Sequence, residues 1–234
     1  MGWIPHVMVL DDDPRVLDSL MPSFASDLAR GLARSPALTA ALHRGEPGAT
    51  PSAPIQVQVT AHGYQSERVA SYRYRAPHHV HLHLVREQAG RFDLARRLLN
   101  EQLFAVVVSD LRFSDDAGGQ RAGQLFIDEA QRVHPEVQGL LYSAYPRPDE
   151  FPASRFVRKG TISTDGASVV EMMVQAAERH LADPAVGGFA AAIADQGIVY
   201  QSEAFGTTLA QLFGLARLMG TDASTARGPG RGRR

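Results

Sequence analysis

The sequence predicts an α/β fold built on a doubly wound parallel sheet, and three observations predict it. The runs Val7-Met-Val-Leu10 and Phe104-Ala-Val-Val-Val108 are continuously apolar, as in strands buried on both faces. Segments with helical spacing of apolar residues alternate with such runs. Polar groups follow the runs directly: Asp11 and Asp12, Asp110, Ser143 and Lys159. Sheets of this class gather their active groups at the carboxyl ends of strands, so these residues are expected to converge on one edge.

Each element has its own signal. After the first strand, Val16, Leu17, Leu20, Phe24, Leu28 and Leu32 recur at helical spacing, with Asp13 placed to cap and Pro14 in the first turn. Pro22 is expected to bend or end that helix. Residues 44–54 are rich in Gly, Pro, Ala, Ser and Thr and read as a loop. Ile55-Gln-Val-Gln-Val59, Tyr72-Arg-Tyr-Arg75 and Val80-His-Leu-His-Leu84 alternate as half-exposed strands do. Leu94, Leu98 and Leu99 mark a short amphipathic helix ahead of the strand 104–108. A Gly-rich acidic loop over 113–123 precedes a helix from Gln124 to Val133. Gly139-Leu-Leu-Tyr142 is the next strand, ending at Ser143. Pro146, Pro148 and Pro152 argue against a helix over 146–154. Phe156-Val157 leads as a short strand to Lys159, and a helix over 166–182 presents Val169, Met172, Met173, Ala176 and Leu181 on one broad face.

The bulk composition narrows the function. The chain has 234 residues, enough for one sizeable domain with extensions. A formal net charge of -1 makes no global case for nucleic-acid or acidic-membrane binding. With no cysteine, disulfides, thiol catalysis and cysteine zinc sites are excluded. Met1–Leu10 does not read as a signal peptide, and no apolar run reaches membrane-spanning length, so a cytoplasmic location is expected.

Carboxylates crowded at one sheet edge repel one another, so either their pKa values rise or a cation binds. A cluster of oxygens with few protein ligands suits Mg²⁺, which keeps several waters. A lysine beside it pairs with an anion, and a serine hydroxyl donates a hydrogen bond to it. Together these make a phosphoryl site with an aspartate nucleophile.

Four segments then resemble the response-regulator receiver family of two-component signalling, in order: Val7-Met-Val-Leu-Asp-Asp-Asp-Pro14, Val106-Val-Val-Ser-Asp-Leu-Arg112, Leu141-Tyr-Ser-Ala-Tyr145 and Phe156-Val-Arg-Lys159. The resemblance covers residues 5–33 and about 79–182. It implies a flavodoxin-like (CheY-like) five-stranded sheet of order 2-1-3-4-5. It also implies phosphorylation of Asp110, with Mg²⁺ held by Asp11, Asp12, Asp110 and the main-chain carbonyl of Arg112. Ser143 matches the switch hydroxyl, Phe156 the switch aromatic and Lys159 the family's lysine. The implied partner is a histidine kinase or phosphotransfer protein, with output by protein–protein contact. Neither direct nucleic-acid nor membrane binding is expected, and a homodimer is a further candidate. In this family the positions of Arg112 and Tyr145 border the path of the hydrolytic water, so two bulky side chains there imply slow self-dephosphorylation.

The departures from the family are specific. The separation of Asp12 from Asp110 is far longer than usual, which places an insertion over about 35–78. The loop Phe113-Ser-Asp-Asp-Ala-Gly-Gly119 replaces a shorter link, and Asp115 and Asp116 read as solvated acids. Gly160 stands where a proline usually follows the lysine. The fourth helix, normally part of the output surface, is expected to be lost or shrunken.

These departures keep two rivals in view: a phosphorylation-independent pseudoreceiver scaffold, and a Mg²⁺-dependent phosphatase with an aspartate nucleophile. His79, His81 and His83 share one face of a predicted strand, a spacing that can hold zinc or nickel. With no flanking carboxylate or cysteine, they read as the polar face of an edge strand. Residues 1–183 form the expected receiver domain, and 184–234 a helical extension with a disordered basic tail, Arg227-Gly-Pro-Gly-Arg-Gly-Arg-Arg234. The stretch from Ile198 to Ala223 resembles the start of the ATPase domain of enhancer-binding transcription activators. No lysine follows Gly232, so ATP hydrolysis is not expected.

Overall fold

The computed structural model describes residues 6–13, 25–43, 56–62, 79–85, 91–113, 121–159, 162–195 and 212–213. In chain order the elements are β1 (His6–Leu10), α1 (25–34), α2 (Pro36–His43), β2 (Gln56–His62), β3 (His79–Val85), α3 (Arg91–Glu101) and β4 (Phe104–Ser109). They continue with α4 (Ala122–Val133), β5 (Gln138–Ser143), β6 (Phe156–Arg158), α5 (Ile162–Ala182) and α6 (Pro184–Asp195).

Among the described residues six strands form one sheet, ordered β2-β3-β1-β4-β5-β6, and every pairing is parallel. Without β2, the order β3-β1-β4-β5-β6 is the expected 2-1-3-4-5, and the fold is flavodoxin-like. The insertion supplies β2, which pairs alongside β3 over its whole length.

Alternation within each strand sorts the core into two layers. Val7, Val9, Leu82, Leu84, Val106 and Val108 pack beneath α1, α2 and α5. Met8, Leu10, Val85, Phe104, Val107 and Leu141 pack beneath α3 and α4. All six residues of β4 are buried, so this strand lies at the centre of the sheet. A fully buried aliphatic side chain there contributes about 1.5–3 kcal/mol, which favours the central placement of the most apolar segment.

His79, His81 and His83 do not lie on the expected edge strand. β3 is an inner strand, flanked by β2 and β1. His83 is buried and its ring stacks on that of His6 at 5.3 Å, with a 3.0 Å contact between His6 Nδ1 and His83 Nε2. Phe104 meets both rings edge-on. Over residues 82–85, therefore, both faces of β3 are buried: Leu82 and Leu84 lie in one core layer, Val85 in the other, and His83 packs on the rings of His6 and Phe104. The side chains of His79 and His81 lie outside the described residues.

The boundaries of two helices also shift. α4 begins at Ala122 and so takes Gly123 out of the expected loop; α5 begins at Ile162. Between β5 and β6 there is no α-helix, only a single 3₁₀ turn at Ala153–Arg155. The connection is tied down instead. Phe151 is buried in the α3/α4 layer, Arg147 donates to its carbonyl, and Arg121 pairs with Glu150. Arg155 donates to Gln131 Oε1 at 2.9 Å.

α6 packs against α5, capped by Asp183, whose Oδ1 accepts from the Ala185 N–H at 2.9 Å. Among the described residues no helix is long and apolar enough to cross a membrane. The Pro22 bend, the strand at 72–75, Asp115, Asp116, Gly160, the ATPase-like stretch apart from Leu212 and Phe213, and the basic tail all fall outside the described residues.

Candidate functional site

Strand order reverses direction between β1 and β4, and a crevice opens at the carboxyl ends of strands at such a point. The register sets the side chains level there. Leu10 pairs with Ser109, and the Asp110 N–H continues the ladder to the Leu10 carbonyl at 3.0 Å. This brings Asp11 and Asp110 side by side. On the other flank Ser143 pairs with Arg158, and the Lys159 N–H donates to the Ser143 carbonyl at 2.8 Å. Ser143 and Lys159 therefore face the same crevice.

The Lys159 ammonium bridges the two acids, 2.5 Å from Asp11 Oδ2 and 2.6 Å from Asp110 Oδ2. The other oxygen of Asp110 accepts from the Ser143 hydroxyl and from the Leu111 N–H, both at 2.6 Å. Asp11 Oδ1 accepts from the Asp13 N–H at 2.9 Å. Asp11 and Ser143 are buried; Asp12 and Lys159 are half-buried.

Burial pushes the Asp11 carboxyl up to about 6, against the opposing charge and hydrogen bond of Lys159; the charge of Asp110 adds to the rise. Burial alone would push the Lys159 ammonium down, but the charges and hydrogen bonds of Asp11 and Asp110 outweigh it and its pKa is raised. One shared ammonium thus leaves the pair short of positive charge.

A divalent cation would supply that charge. One oxygen from each of Asp11, Asp12 and Asp110 can be chosen so that all lie within 4.8 Å of one another. Three hard oxygen donors at one mouth fit Mg²⁺ better than a softer ion.

Other expected residues border this centre. The Arg112 guanidinium lies 3.9 Å from the centroid of the Tyr145 ring. Tyr145 is exposed, so the stacked pair stands at the solvent side of the Asp110 and Ser143 strand ends. Phe156 is half-buried and packs against the α3/α4 layer. Three residues that touch Asp110 escaped the sequence reading: Ser109, whose hydroxyl donates to the Asp110 carbonyl at 2.9 Å, Leu111 through its N–H, and Gly123. The only available signal was a glycine beside the start of an amphipathic pattern.

No family model matches the chain. No curated protein matches it either. Among solved structures it is similar to a two component transcriptional regulator AraC from Clostridium phytofermentans ISDg. The identity is 11%, the TM-score is 0.37, and the match covers 76% of this chain and 98% of that one.

Proposed function

We propose that the chain is a receiver module that takes a phosphoryl group onto Asp110 from a phosphohistidine of a kinase or phosphotransfer protein. The observation that carries this reading is the Lys159 ammonium bridging Asp11 and Asp110 while Ser143 donates to the same Asp110 carboxylate. In the transfer, a carboxylate oxygen of Asp110 attacks phosphorus, the P–N bond breaks, and the imidazole leaves with a proton while an acyl phosphate forms. Lys159 and the Ser143 hydroxyl are placed to bind the oxygens of the incoming group, which carries the negative charge they neutralise. Mg²⁺, held by Asp11, Asp12, Asp110 and the Arg112 carbonyl, would screen the attacking carboxylate from the phosphoryl oxygens. The new charge draws Ser143 and Lys159 away from the bare carboxylate, and that shift is the signal.

Acetyl phosphate or beryllofluoride with Mg²⁺ tests the proposal. Wild type should gain one phosphoryl group from acetyl phosphate, or bind one beryllofluoride, and Asp110→Asn should do neither. An unresponsive wild type, or an equal response in the variant, would sink it.

The second reading, a pseudoreceiver scaffold, draws on the β5–β6 connection, where a tethered loop stands in place of a helix. An aspartate-nucleophile phosphatase finds less support. It wants an acid two residues after the nucleophile, and Arg112 occupies that place, stacked on Tyr145.

A further inference from the structure

The peptide joining Asp110 to Leu111 is held from both sides. Its N–H donates to Oδ1 of Asp110 at 2.6 Å. Its carbonyl accepts from the Ser109 hydroxyl at 2.9 Å. The same carbonyl lies against the first turn of α4 at Gly123. A β-carbon on Gly123 would stand 1.6 Å from the Asp110 carbonyl oxygen, 2.8 Å from its carbon and 2.6 Å from Ser109 Oγ. The Gly123 N–H also donates to the Leu111 carbonyl at 3.2 Å.

Two of these three contacts are to backbone, which cannot swing aside as a side chain can. Carbonyl and N–H share one rigid plane. Any group that turns the carbonyl away from α4 also turns the N–H away from Oδ1. We infer that Gly123, with Ser109, is a positioning residue: it holds the carbonyl side of the Asp110–Leu111 peptide and so aims the N–H that orients the acceptor carboxylate. The role given to that carboxylate rests on the function proposed above; the geometry does not.

Gly139 provides the contrast. A β-carbon there would stand 2.2 Å from Ile127 Cγ2, so it too disturbs the packing of α4, but through an aliphatic side chain away from Asp110. The test compares Gly123→Ala, Ser109→Ala and Gly139→Ala in the full chain. In ¹⁵N-labelled protein the Leu111 amide proton, held in a short bond to a carboxylate, should resonate far downfield. It should move upfield in Gly123→Ala, less far in Ser109→Ala, and stay in place in Gly139→Ala. With acetyl phosphate and Mg²⁺, the maximal labelling rate of folded Gly123→Ala should fall on the order of tenfold to a hundredfold, the penalty for misplacing a reacting group. Its half-saturating acetyl phosphate concentration should not change.

An unmoved Leu111 resonance in Gly123→Ala, or an equal displacement in Gly139→Ala, would overturn the inference. Should Gly123→Ala fail to fold, Ser109→Ala adds no volume and carries the same test. In that variant, wild-type values for both resonance and rate would refute the positioning role. A wild type that takes no phosphoryl group, but whose Leu111 resonance shifts as expected in the variants, would overturn the proposed function and leave the positioning role supported.

Discussion

Replacing Asp11 with asparagine should remove a specific slope from the pH dependence of stability. Asp11 is 1% exposed, and burial lifts its carboxyl from 3.8 to about 6 in the folded protein. The folded state therefore binds more protons than the unfolded state between those two values. Stability from this group is fully present below the lower value, declines as pH rises through the window and is gone above the upper one. At about 1.36 kcal/mol per pH unit, the loss is about 3 kcal/mol. Asparagine is neutral throughout, so the difference between the two proteins isolates this contribution. Urea denaturation in the presence of a chelator, run from about pH 3.5 to pH 7.5 across that window, should show wild type losing that amount relative to Asp11→Asn. Mg²⁺ added at the upper end should restore stability to wild type, by about 2.7 kcal/mol at a hundred times its dissociation constant. It should do much less for the variant. Parallel profiles for the two proteins, or wild type gaining on the variant as pH rises, would refute the burial argument.

Two further outcomes are expected. Arg112→Ala and Tyr145→Ala each break the stack at the mouth of the site and should shorten the life of the phosphorylated protein several-fold, read as release of inorganic phosphate. A lifetime unchanged in both would remove the shielding role. Phe151→Ala should destabilise the protein by about 3–5 kcal/mol in denaturant titration and speed tryptic cleavage after Arg155, because Phe151 anchors the loop that stands in place of a helix. A cost below about 1 kcal/mol would place the anchor elsewhere.

Much of the acidic edge was legible because a parallel strand buried on both faces must end where its polar residues begin. Leu10 gives way to Asp11, Val108 to Ser109 and Tyr142 to Ser143, and each change of character lies within one residue of a carboxyl end. The absence of a helix between β5 and β6 was legible for a similar local reason, since Pro146, Pro148 and Pro152 lack the N–H that a helix needs. The histidines of β3 misled because alternation looks the same whether its polar half faces water or another ring. For His83 only the rings of His6 and Phe104 packed against it separate those cases, and contacts between distant segments leave no mark in either one.

The sequence by itself determined the layered parallel architecture and the polar residues standing at the strand ends, because both follow from local patterns of burial and polarity; the order of the five core strands was implied only by the resemblance of four motifs to a known family. The tertiary structure alone decided that the insertion adds a sixth strand, that His83 packs on His6, and that one lysine bridges Asp11 and Asp110. It also decided that Gly123 sits against the Asp110 carbonyl. Each of these is a distance between groups far apart in the chain, set by register and by the volume left between packed elements, and no single segment carries that information.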